Sequence, residues 1–153
     1  MPAPHRGRAR GFSLIEVLIV LLLLGLLAAV AYPSYQYVQE RRREAAAVTE
    51  IGAMSAALKR IELERRGLPQ TLEEAGLGGR LDPWGRPYRY YNVQDNGRGG
   101  ARKDRRLNPL NTDFDLYSLG RDGLTKPQIS QRESADDIIR ANNGRFTGRA
   151  SDY

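Results

Sequence analysis

The sequence predicts an α+β chain: a long N-terminal α-helix, membrane-spanning in its first half and amphipathic in its second, packed on a small antiparallel β-sheet head. Three observations predict it. Residues 12–31, FSLIEVLIVLLLLGLLAAVA, are almost purely apolar, with Glu16 the only charge. Behind them, apolar residues recur at three- and four-residue steps as far as Ile61. Beyond Gly67 the chain turns to prolines, glycines and short alternating runs. At 153 residues it holds one modest globular domain with an appendage and nothing larger.

The formal charge of +6 invites a nucleic-acid partner. Three of those charges, Arg6, Arg8 and Arg10, belong to the first eleven residues, MPAPHRGRARG, and without them 21 basic residues face 18 acidic ones, a balance of +3. The rest alternate with acids and have no stacking aromatics along a basic groove, which argues for a solvated mixed surface and no nucleic acid. There is no cysteine. A small exported head would then be held by packing on a long helix, by neighbouring subunits or by a metal.

The apolar block is the sharpest signal. A helix of its length spans about 30 Å, the hydrocarbon thickness of a bilayer. An ordinary secretory signal, with Ala29-Val30-Ala31 as its cleavage site before Tyr32, would have a shorter apolar run and no use for Glu16. A plain single-pass anchor leaves both Glu16 and the Gly11-Phe12 junction unexplained. A carboxylate inside a bilayer is costly and marks function by default.

The run Gly11-Phe12-Ser13-Leu14-Ile15-Glu16-Val17, behind a basic leader and ahead of an unbroken apolar helix, resembles the class III signal of type IV pilins and type II secretion pseudopilins. The resemblance implies that residues 1–11 are a class III leader, that a prepilin peptidase cuts after Gly11, and that Phe12 becomes N-methylated. It implies a membrane helix over 12–32 and a cytoplasmic leader. Charge alone leaves orientation open, since Arg41, Arg42 and Arg43 follow the other end of the block. Cleavage would create an α-amino group on Phe12. Pairing it with Glu16 of a neighbouring subunit would remove two unpaired buried charges and set the register of assembly.

Pro33 follows the block and matches a proline that pilins carry there, so it reads as a helix kink and not a stop. Residues 33–66 continue as the periplasmic half of the helix. Val48, Ile51, Met54, Leu58 and Ile61 form an apolar stripe, with Glu50, Lys59, Arg60 and Glu62 at other positions. Gly67 and Pro69 mark the exit. From Phe12 to Arg66 such a helix would run about 80 Å, too long for a globular domain of this size.

Residues 67–153 form the small α+β head. Thr71-Leu72-Glu73-Glu74 has the spacing of a capping box and predicts a short helix. Asp82-Pro83-Trp84-Gly85-Arg86-Pro87-Tyr88 is dense in turn formers. Pro87–Val93 and Phe114–Leu119 read as strands. Residues 94–112 read as an exposed loop, with Arg102, Lys103, Arg105 and Arg106 as solvated surface.

Asp82-Pro83-Trp84-Gly85 with Pro87-Tyr88, followed by Asp115-Leu116-Tyr117-Ser118-Leu119-Gly120 and Asp122-Gly123, is similar to the C-terminal region of the major pseudopilin of type II secretion. The likeness is weakest over 94–112 and 139–153, where the chain runs on past the usual end. It implies a calcium site in the loop after Leu119, from aspartates and main-chain oxygens. Asp122 matches the first acid and Asp137 the last; the remaining acid falls on Ala135, with Asp136 as a shifted substitute. The carbonyls of Leu119 and Ser134 complete the implied set. Read without the resemblance, Asp122 favours a turn and Asp136 sits in the first turn of a helix capped by Ser134.

No catalytic constellation stands out. His5 is the only histidine and lies in the leader, and no nucleophile elbow, phosphate loop or metalloprotease helix occurs. A membrane-anchored enzyme using carboxylates alone is the remote alternative. The resemblance implies a structural subunit of a homo-oligomeric helical filament, made in the inner membrane as a single-pass protein with its head in the periplasm. Its partners would be the prepilin peptidase, an inner-membrane assembly platform and minor pilins or pseudopilins. As a pseudopilin it would drive export through an outer-membrane channel; as a type IV pilus subunit it would serve adhesion or motility.

Overall fold

The computed structural model describes residues 12–153. The leader, with Gly11, lies outside the described residues. Contacts divide the chain into two units, Met1–Gln39 and Glu40–Tyr153.

Helix α1 spans Leu14–Arg65. Ser13 caps it, its hydroxyl accepting the Glu16 N–H at 3.2 Å. Pro33 lies inside the helix and does not end it. Proline has no N–H to donate to the carbonyl four residues back; one residue on, the Ser34 hydroxyl donates to the Val30 carbonyl at 3.2 Å. The exit comes one residue earlier than Gly67 predicts: Arg66 itself takes the left-handed conformation, with φ 58°.

In the first unit the large apolar side chains from Phe12 to Val38 are exposed, and the apolar span carries no buried residue. In the second unit the predicted stripe is realised, with Val48 half-buried at its edge. Ile51, Met54, Leu58 and Ile61 are buried, with Ala47 beside them.

The head is a four-stranded antiparallel sheet in the order β1-β2-β3-β4, with β1 Arg89–Asn92, β2 Phe114–Ser118, β3 Ile138–Ala141 and β4 Phe146–Arg149. Tyr91 pairs with Asp115, Tyr117 with Ile139, and Ile139 with Gly148. Because side chains alternate along a strand, the sheet has two apolar faces. Phe114, Leu116 and Ile138 pack with Ala47, Ile51, Met54 and Leu58 of α1. Ile139 and Ala141 face the other way, onto Leu110, Ile129 and Ala150.

Several elements differ from expectation. The strand expected over Pro87–Val93 shortens to β1, and Val93 opens a four-residue helix, α2 (Val93–Asn96), capped by Asn92. The capping box at Thr71 yields a turn instead of a helix. Its cap forms, with the Glu74 N–H donating to the Thr71 hydroxyl at 3.2 Å, but the Glu74 carboxylate reaches back to the N–H of Gln70, not of Thr71. Gly76, at φ 69°, then turns the chain away. No helix starts at Ser134; the short 3₁₀ turn Arg132–Ser134 ends there and β3 follows. The segment 94–112 is not simply exposed, since Ala101, Arg102, Leu110 and Asn111 are buried. Residues 139–153 carry most of β3 and all of β4, so the run-on completes the sheet.

Candidate functional site

Two places carry the residues that the sequence singles out: the start of α1 and the loop from Leu119 to Ile138. At the first, Phe12 precedes the helix and is 80% exposed. Glu16 stands in the first turn, also exposed. An acid there complements the helix dipole, and Ser13-Leu14-Ile15-Glu16 has capping-box spacing. The cap itself is made by the Ser13 hydroxyl on the Glu16 N–H, a local feature of the motif that sequence reasoning missed.

The second place is built around the turn at Asp82. Asp82 is buried, and its Oδ1 accepts the N–H groups of Trp84 and Arg86 at 3.0 and 2.8 Å. Its Oδ2 accepts the Ser118 hydroxyl at 2.5 Å, which fixes the turn to the end of β2. The turn projects two side chains. The Trp84 indole donates to Glu40 at 3.0 Å. The Arg86 guanidinium donates to the carbonyls of Gly120 and Arg121 at 2.7 and 3.2 Å. The motif read as turn formers thus ties α1, β2 and the loop together.

The loop passes closely under itself at Gly120, where φ is +62° and a Cβ would stand 2.3 Å from the Asp136 carbonyl oxygen. Only glycine fits there. Of the predicted site residues, Asp122 and Asp136 stand in direct contact, and each of the five has a hydrogen-bond partner of its own. The exposed Asp122 accepts the Leu124 N–H at 2.8 Å. Asp136 accepts the Asp122 N–H at 2.9 Å. The Leu119 carbonyl accepts the Gly123 N–H at 3.2 Å, and the Ser134 carbonyl accepts the Asp137 N–H at 3.3 Å. Among the described residues no three acidic, histidine or cysteine side chains stand together as a metal cage.

Asp137 is fully buried, and its Oδ2 accepts from Arg102 Nη2 and from the Thr125 hydroxyl, each at 2.6 Å. Burial pushes the Asp137 carboxyl up to about 6, against the lowering pull of Arg102 and Thr125. Its Oδ1 and the Arg102 Nε are buried without a hydrogen-bond partner. Arg102 also donates to Thr125 and lies over the Tyr117 ring at 4.3 Å. Its backbone N–H meets the buried Asp115 at 2.6 Å. Burial raises the Asp115 carboxyl too, against hydrogen bonds from Asn111 and Arg102.

A second buried arginine, Arg140 on β3, was not legible either. Its guanidinium grips both oxygens of Asp113 at 2.8 Å, donates to the Ser55 hydroxyl of α1 at 2.8 Å, and stacks on Phe114 at 3.9 Å. Lys59 adds a third contact to Asp113 at 2.7 Å. Burial alone would raise the Asp113 carboxyl, but Arg140 and Lys59 outweigh it and hold it at about 2.

Residues 6–32 match the prokaryotic N-terminal methylation motif. The chain is 30% identical over 140 residues to the type II secretion system core protein G of Pseudomonas aeruginosa, covering 78% of this chain and 88% of that protein. It belongs to the type II secretion system core protein G family. The core protein G of Vibrio cholerae is 30% identical over 133 residues, covering 74% of this chain and 81% of its own. A fimbrial protein of Pseudomonas aeruginosa is 42% identical, but over only 55 residues and 36% of each chain. No solved structure matches at a significant level. For a core protein G, the α+β layout and the exposed apolar helix start are as the resemblance implied.

Proposed function

We propose that this chain is the repeating structural subunit of the pseudopilus of a type II secretion system, the filament that drives protein export through an outer-membrane channel. The observation that carries it is the exposed apolar helix with Glu16 in its first turn, set within the methylation motif on a chain related to core protein G along most of its length. Cleavage after Gly11 by a prepilin peptidase frees the Phe12 amine, which becomes methylated. The helix holds the subunit in the inner membrane with the head in the periplasm until an assembly platform adds it to a filament of its own copies, alongside minor pseudopilins.

An apolar surface of this extent is stable in lipid or against other such helices. Inside either, the carboxylate of Glu16 needs a cation. The Phe12 amine of the next subunit supplies one, and breaking such a pair costs about 3–5 kcal/mol per contact.

The test is complementation of a host strain lacking the gene, with export of secreted proteins as the readout. Glu16→Leu and Glu16→Gln should both insert normally, because neither adds charge to the membrane, and both should lose most filament assembly and export. Glutamine preserves the capping-box pattern at the helix start. Normal export with Glu16→Gln would reduce Glu16 to a capping residue. The partial match to a fimbrial protein favours a type IV pilus as the second reading; loss of surface pili with export intact would decide for it.

A further inference from the structure

The family resemblance puts calcium into the loop between Leu119 and Ile138, yet the groups there already have other partners. The Asp137 Oδ2 is held by a guanidinium and a hydroxyl. The Gly120 and Arg121 carbonyls point at Arg86. Asp122 and Asp136 accept backbone N–H groups. Calcium takes six to eight oxygens. In this loop the buried carboxylate oxygen without a hydrogen-bond partner is Asp137 Oδ1.

We propose that Arg102 is the resident cation of this head, ordering the loop in place of a divalent metal, with Arg86 closing its outer turn. One guanidinium joins four separate parts of the chain: its own segment, Tyr117 of β2, Thr125 in the loop, and Asp137 just before β3. That is the crosslink a metal would supply. Arg102 is 4% exposed and Asp137 is 0% exposed, so the pair neutralises itself out of reach of solvent. A doubly charged ion on Asp137 would sit against a fixed positive charge.

The inference is independent of the filament reading, because it is measured on the mature full-length chain in detergent micelles and not on export. Hydrogen exchange over residues 119–138 and thermal melting are followed in calcium and in chelator. The wild type should give the same protection and the same midpoint in both. Arg102→Met should lose loop protection and lower the midpoint by about 10 °C, since it strands a buried carboxylate. Adding Asp137→Asn to it should recover part of that loss. If Arg102→Met does not accumulate, Arg102→Lys replaces it: the charge stays, the fork geometry goes, and loop protection should fall partway. Calcium-dependent protection of the wild-type loop that disappears in Asp137→Asn would overturn the proposal. So would wild-type loop protection in either Arg102 variant.

Discussion

Between Leu14 and Val38, α1 exposes its leucines, isoleucines and valines on every side, with large apolar side chains 46–82% accessible. Between Ala47 and Ile61 the same helix shows one apolar stripe, and that stripe is buried against the sheet. The first stretch shows no stripe, because its apolar side chains point to every side and none of them has a core to meet. The second is specified by periodicity, because only one side meets a core. Polar groups follow the same division. In the first unit the notable one is Glu16, exposed at the helix start. In the second, ionised side chains are buried in pairs, Arg140 with Asp113 and Arg102 with Asp137.

The comparison breaks most visibly at Arg140. Arg140→Ala would leave Asp113 with Lys59 as its remaining cation and Ser55 of α1 without its donor, a loss of about 3 kcal/mol, at the low end for a broken buried pair. Chemical denaturation of the mature chain in micelles should show it as an earlier transition of the head, with the helical signal of the first unit retained. An unchanged transition would mean that the Arg140 network adds nothing to the head.

Paired truncations along α1 sharpen it further. Leu58 is fully buried, and Leu58→Ala should cost about 2–5 kcal/mol through lost burial and a cavity. Leu22 is 72% exposed, and Leu22→Ala should shift the same head transition by less than about 0.5 kcal/mol. Equal shifts would refute the division of labour within the helix.

The smallest effect is electrostatic and runs with pH. Asp113 is held at about 2 in the folded head, below the ordinary carboxylate value of 3.8. A depressed folded-state pKa contributes stability that is complete above the unfolded value and disappears as pH falls through the folded one. The shift is worth about 2 kcal/mol. The stability gap between wild type and Asp113→Asn should therefore be widest near pH 5 and shrink between about pH 4 and pH 2. Measuring the gap, and not the wild type alone, removes the opposite trend of Asp115 and Asp137, whose carboxyls are raised. A gap that stays constant down to pH 2 would show that Arg140 and Lys59 do not depress Asp113.

Much of this molecule was legible from residue order. The apolar block, the stripe from Val48 to Ile61, β1, β2 and the turn at Asp82 all announce themselves locally, through hydropathy, spacing and turn chemistry. Strands β3 and β4 did not. Each has four residues, and β3 carries an arginine in its middle, so neither shows the period-2 contrast of a half-buried strand. The clue to β3 was the pair Ile138-Ile139, which faces the two opposite cores.

The sequence by itself determined the N-terminal segment, because an apolar helix interrupted by a single charge, Glu16, announces itself through its own side chains and needs no distant partner. Tertiary structure alone decided the fate of the arginines. Arg102, Arg105 and Arg106 lie within five positions, yet the first is buried and the other two are exposed. The difference is made by Tyr117, Thr125 and Asp137, which lie distant along the chain and are brought beside Arg102 by the pairing of β2 with β3 and the loop between them. A guanidinium is stable out of water only where a carboxylate and acceptors are already fixed to receive it.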